Sequence, residues 1–176
     1  MIRRAVLGIA VCCLVASGGA CTSRKQAADM PPSPKCELSV YPQLDVGDPV
    51  QVTFQLINPT AQRLFVLDWH TPLEGLLSNC LVVTRDGVEI PYQGPMLKRG
   101  DPEPSDYAVL DPGVTSERTI EAHLAYDFSK PGTYRIAFRG PLMDVITQQA
   151  EVPRPLAQHR EVPMQCQAVE TKISSP

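Results

Sequence analysis

Eighteen prolines are spread through this 176-residue chain, well above the usual share of about 5%. Proline lacks a backbone donor and fixes φ, so it suits turns and strand edges and interrupts helices. Between the prolines lie short stretches with β character. Val50, Val52, Phe54 and Leu56 alternate with Gln51, Thr53 and Gln55, the pattern of a strand with one wet face. Cys36 to Tyr41 reads as a first edge strand, with Leu38 and Val40 on one face. The apolar run Leu64 to Trp69 reads as a central buried strand. Asp86-Gly87 lies between two β-rich runs, and this is a hairpin signal because Gly supplies the positive φ of the primed turns. Leu81 to Tyr92 is therefore expected to form a hairpin.

Further strands are expected at Tyr107 to Leu110, at Ser116 to Leu124 (with Ile120, Ala122 and Leu124 on one face), at Arg135 to Phe138, and at Gln165 to Ile173. Tyr126 to Lys130 reads as one helical turn. Gly140 to Pro163 is a long connection, with a short helix expected at Asp144 to Ala150. About seven short strands and no long amphipathic helix predict an all-β, immunoglobulin-like antiparallel sandwich over residues 36–176. The lone tryptophan, Trp69, is expected to anchor the core on the third strand. Tyr134 stands where a tyrosine corner belongs, with its hydroxyl bonded to the preceding loop. Phe54, Ile136 and Phe138 complete the expected core.

The first 20 residues read as a signal peptide. Arg3 and Arg4 precede the apolar segment Ala5 to Ala16, which is shorter than the roughly 20 residues a spanning helix needs. Ser17 to Ala20 are small residues. Cys21 then stands where a bacterial lipoprotein carries its lipid, although Gly18 occupies a position where leucine is usual. The alternative is ordinary cleavage near Ala20 and a free secreted product. Residues 21–35, with Pro31-Pro32 and Pro34, read as an extended tether. Thr22 after the cysteine favours an outer-membrane address facing the periplasm. Without the leader, 14 basic and 19 acidic residues remain, a net of −5. No basic face for nucleic acid is expected, and membrane contact is expected only through the anchor.

Outside the leader and Cys21, the cysteines are Cys36, Cys80 and Cys166, and a disulfide is permitted outside the cytoplasm. In a sandwich of this topology the first strand starts at the end where the last one lies, which favours Cys36–Cys166. The loop closed would stabilise by about 4 kcal/mol in the chain-entropy model. Cys80 would then be a buried thiol; a bridge from Cys80 to either of the others is the alternative.

Catalytic constellations are not evident. The three histidines, His70, His123 and His159, are not followed by Glu-x-x-His, so the two-histidine zinc helix of zincins is not formed. There is no G-x-S-x-G and no C-x-x-C spacing. No catalytic residue, metal ligand or cofactor is assigned. What remains is surface. Thr71-Pro72-Leu73-Glu74-Gly75-Leu76-Leu77 places large apolar groups in a loop that either covers the core or contacts a partner. Lys98, Arg99 and Asp101 either pin a long loop by an ion pair or form a charged rim. His70, Thr71, Pro72, Leu73, Glu74, Leu77, Lys98, Arg99 and Asp101 are thus the partner-binding candidates.

Three stretches carry a resemblance: T-P-L-E-G-L from Thr71, V-T-R-D-G-V-E-I-P-Y-Q-G-P-M-L-K-R-G-D-P from Val83, and Y-D-F-S-K-P-G-T-Y from Tyr126. They resemble the β-sandwich that precedes the catalytic domain of bacterial peptidyl-lysine metalloendopeptidases, of the deuterolysin or aspzincin class. The resemblance spans about Leu38 to Phe138 and leaves the catalytic half without a counterpart. It implies a pro-region or accessory domain, here an inhibitor or folding helper of a secreted metallopeptidase. The rival reading is a structural or ligand-binding envelope module unconnected with proteolysis, since sandwiches are generic scaffolds.

Overall fold

The computed structural model describes residues 33–175. The expected signal peptide, Cys21 and the tether up to residue 32 lie outside the described residues. Among those described, regular structure consists of eleven strands and five single turns of 3-10 helix, and no helix is long and apolar enough to cross a membrane.

Two sheets form the sandwich. The first joins β1 (Lys35–Val40), β3 (Gln51–Ile57) and β8 (Thr115–Glu121) in the order 1-3-8. The second joins β2 (Gln43–Asp45), β11 (Val169–Ser174), β9 (Gly132–Phe138), β5 (Leu81–Arg85) and β6 (Val88–Glu89) in the order 2-11-9-5-6. Every pairing is antiparallel except β2 with β11. Alternation decides which face turns inward: Val52, Phe54 and Leu56 are fully buried while Gln51 is exposed. Tyr134, Ile136 and Phe138 come down from the opposite sheet, and the Phe54 and Phe138 rings meet at 5.3 Å between centroids. Each such side chain contributes about 1.5–3 kcal/mol on leaving water.

The run from Leu64 does something else. Only Leu64–Leu67 is a strand, β4, and it sits between β7 (Tyr107–Leu110) and β10 (Val145–Ile146) in a separate three-stranded sheet. All four of its residues are buried. Leu64 and Val66 face the main core, while Phe65 and Leu67 face a second cluster with Trp69, Tyr107 and Ile146. A strand covered on both faces has no wet side, which is why this segment does not alternate. Trp69 is buried but lies past the strand end, in that second cluster. The expected position on a third strand of the main sandwich is therefore corrected: the β4 branch leaves the two main sheets and takes Trp69 with it.

The turns follow local chemistry. Asp86 and Gly87, at φ 49° and 86°, form a two-residue hairpin with Arg85 opposite Val88. The Tyr134 hydroxyl donates to Lys130 O at 2.7 Å, and the ring is fully buried. At the end of β3, buried Asn58 donates to Gln62 O and Leu110 O, at 2.7 and 2.9 Å, and ties the turn to β7.

Three sequence expectations need correction. The single turn expected at Tyr126–Lys130 forms instead at Ala122–Leu124. There the chain leaves β8, so Ala122 is buried while Leu124 is 67% exposed and does not share its face. The helix expected at Asp144–Ala150 is the strand β10 followed by a 3-10 turn at Gln149–Glu151, because Val145 and Ile146 pair with β4. Pairing across the sheet outweighs the weak local preference.

Cys36, on β1, is bonded to Cys166, with Cα atoms 5.1 Å apart and a sequence separation of 130. Cys80 is free and buried. Closing so long a loop stabilises mainly through the unfolded chain. The double variant Cys36→Ser, Cys166→Ser is expected to lose about 4 kcal/mol in urea unfolding; a loss below about 1 kcal/mol would contradict a restraint of this kind.

Candidate functional site

Three connecting segments meet beside the second cluster: 68–80 after β4, 90–106 after β6, and 139–163 after β9, the last carrying β10. The first begins with Trp69 and with His70 at φ 59°. Thr71 caps the 3-10 turn Pro72–Glu74: its hydroxyl donates to Asp68 O at 2.6 Å and accepts from Leu73 N at 3.1 Å. The turn covers the free edge of β8, where Arg118 donates to Leu73 O at 2.8 Å. A Cβ on Gly75 would come within 3.5 Å of that guanidinium, and φ there is 95°. The positive φ is what favours glycine, since 3.5 Å is ordinary contact distance.

Glu74 is the hub. Its side chain is only 5% exposed. One carboxylate oxygen accepts from His70 N at 2.8 Å and from Ser78 Oγ at 3.0 Å. The other oxygen is paired with Arg99 of the second segment. The Arg99 guanidinium lies 4.9 Å from the Trp69 ring centroid, a cation–π contact. Trp69 in turn meets His159 of the third segment edge-on at 6.3 Å. His159 Nε2 donates to Arg154 O at 3.0 Å, since a carbonyl can only accept. Arg154 is paired with Asp144 at 2.5 Å and Glu151 at 2.6 Å, and Tyr107 donates to Asp144 at 3.1 Å. Asp101 accepts from Leu156 N at 2.9 Å, a second tie between the segments. The result is a continuous line of contacts from Glu74 to Asp144 that pins three loops to the sandwich.

The nine candidate residues separate on this geometry. Thr71, Pro72 and Leu73 are buried and Leu77 is half-buried. Of the two readings of Thr71–Leu77, a cover for the core or a contact patch, the burial supports the cover: Leu73 belongs to the main core and Leu76 packs against it. Glu74 and Arg99 are paired with each other. His70, Lys98 and Asp101 are exposed. The pinning ion pair runs from Arg99 to Glu74, 25 residues back. Trp69, Tyr107, Asp144, Arg154 and His159 were not legible as one group, because no spacing rule joins positions so far apart. The exposed apolar side chains lie in the next loop, at Met96 and Leu97, which are 70% and 47% exposed.

The titratable groups are set for structure rather than nucleophilic chemistry. Burial pushes the Cys80 thiol up to about 12, so at neutral pH it stays protonated and unreactive. His123 Nδ1 accepts from Val50 N at 3.2 Å, which fixes its ring in a structural contact. Among the described residues, no three His, Cys, Asp or Glu side chains form a group that could hold a metal ion. Asp68 is a carboxylate shifted upward. Burial, then the nearby Glu74 and Asp106, push it up to about 6, against the opposing pull of Arg99 and a backbone hydrogen bond.

No protein-family model matches the chain. An extracellular protease of Aeromonas hydrophila is 27% identical over 126 residues, covering 69% of this chain and 35% of that protein. The chain thus spans about a third of the length of the curated relative it matches. Among solved structures, a CARDB domain from Pyrococcus furiosus, in complex with di-metal ions, matches 87% of this chain and all of that one, at 10% identity and a TM-score of 0.34. A mutant β-glucosidase from Listeria innocua, in complex with laminaribiose, matches 80% of this chain and 16% of its own, at 13% identity and a TM-score of 0.32. TM-scores this low mark only a loose likeness.

Asp68 gives a signed expectation. A carboxyl whose folded pKa is raised favours the native state while protonated, so its contribution is full below its ordinary pKa and is lost as pH rises to about 6. Asp68→Asn stays neutral throughout. Its melting temperature is expected to exceed that of the native chain at pH 7, with the gap closing toward pH 4; a lower melting temperature at pH 7 would contradict this.

Proposed function

We propose that the chain is a non-enzymatic sandwich domain working outside the cytoplasm, where it binds a secreted peptidase and inhibits it or assists its folding. The observation that carries this reading is the 27% identity to part of an extracellular protease. It agrees with the three stretches that resemble the leading domain of aspzincin-class peptidases. Cys80 is buried, and the His123 and His159 rings are engaged with Val50 N and Arg154 O; the activity proposed is contact. Within the same proposal, Cys21 carries the lipid and holds the domain at the outer membrane; mass spectrometry of the exported chain reads that modification directly.

The probe is the Aeromonas hydrophila extracellular protease. Titrating the purified chain against it at micromolar concentrations is expected to lower its activity or raise its refolding yield. If neither changes at those concentrations, the peptidase reading is lost and the generic envelope module becomes the better account.

A further inference from the structure

We propose that Met96-Leu97-Lys98 is a pre-organised recognition loop that enters a cleft of the partner peptidase, one that offers an apolar subsite beside a carboxylate. The inference rests on the reading above, that the partner is a secreted peptidase, and adds which surface meets it. Elsewhere among the described residues the large exposed apolar side chains are separated in sequence, as at Val88, Val109 and Leu124, and single ones are ordinary on any surface. Here two stand side by side, 70% and 47% exposed, followed by exposed Lys98.

The backbone that presents them has no regular structure between Ile90 and Glu103, yet it is anchored on both sides. Upstream, Gln93 N donates to Ala125 O at 2.8 Å, and the Tyr92 hydroxyl lies 2.9 Å from Leu76 O and 2.8 Å from Pro95 O. Leu97 N donates to Leu77 O at 3.1 Å, so this residue is held through its backbone while about half of its surface stays exposed. Downstream, Arg99 is clamped between Glu74 and Trp69, and Asp101 holds Leu156 N. Pro95 and Pro102 narrow the backbone further. A segment ordered in advance loses little entropy when it is bound, and affinity gains by that amount. Its chemistry fixes what it fits: two flexible apolar side chains need a dry pocket, and the adjacent ammonium needs an acidic neighbour.

The test uses the full chain with the Aeromonas hydrophila extracellular protease as probe, with affinity read by calorimetry. Leu97→Asp and Lys98→Glu are each expected to weaken binding at least about tenfold, the scale of a central interface contact. Leu124→Asp, exposed elsewhere, is expected to leave affinity within about twofold, as energetically neutral surface positions do. Melting temperatures of all three are expected to stay at the native value, which separates lost contact from lost fold. Native binding with both loop variants within about twofold of it would overturn the loop and leave the peptidase reading standing. Failure of the native chain to bind would remove both.

Discussion

Each of the two main sheets has one apolar face, and neither is stable until the other covers it. Val52, Phe54 and Leu56 on β3 have nowhere to go but against Tyr134, Ile136 and Phe138 on β9. That requirement sets the sandwich, its register and the outward direction of every alternate residue. It leaves the ends and edges unsettled, because the sheets cover faces and not the loops between strands. The free edge of β8 is covered by the Pro72–Glu74 turn, and the long connections are held by a line of charge and aromatic contacts as well as by apolar anchors such as Leu73, Ile90, Leu142 and Val162.

Asp144 and Arg154 are 0% and 8% exposed at the side chain. Removing one partner of such a pair leaves a buried charge and costs about 3–5 kcal/mol. Glu74 and Arg99 act likewise nearer the surface. The buried Asp144–Arg154 pair specifies one arrangement of the loops around it, since alternatives leave its charges unsatisfied. The side chains outside the line, Met96, Leu97 and Lys98, are free to meet something else.

Much of the fold was legible because it is written locally. The alternation at Val50–Leu56 gave β3, Asp86-Gly87 gave the hairpin between β5 and β6, and the spacing around Tyr134 gave its corner. Tyr107–Leu110 matched β7. The failures share a cause. Val145 and Ile146 become a strand only through β4, about 80 residues earlier in the register. Leu124 turns outward because β8 ends in a 3-10 turn at Ala122. Trp69 leaves the main core because β4 has buried surface on both sides and belongs to a third sheet. The candidate site was half legible: Glu74 and Arg99 stood out as residues in suggestive loops, but their pairing, and the tryptophan between Arg99 and His159, depend on distances that sequence spacing does not encode.

The Glu74–Arg99–Trp69 clamp fixes the irregular loops on the sandwich. Amide hydrogen exchange at Leu97 tests it most directly, because this amide lies in a segment without regular structure and is held only by Leu77 O. A pinned loop predicts protection of at least about 100-fold over the free peptide, as for structure that opens only locally, and loss of that protection in Glu74→Gln. Exchange of Leu97 at the free-peptide rate in the native chain would contradict the clamp and the pre-organised loop with it.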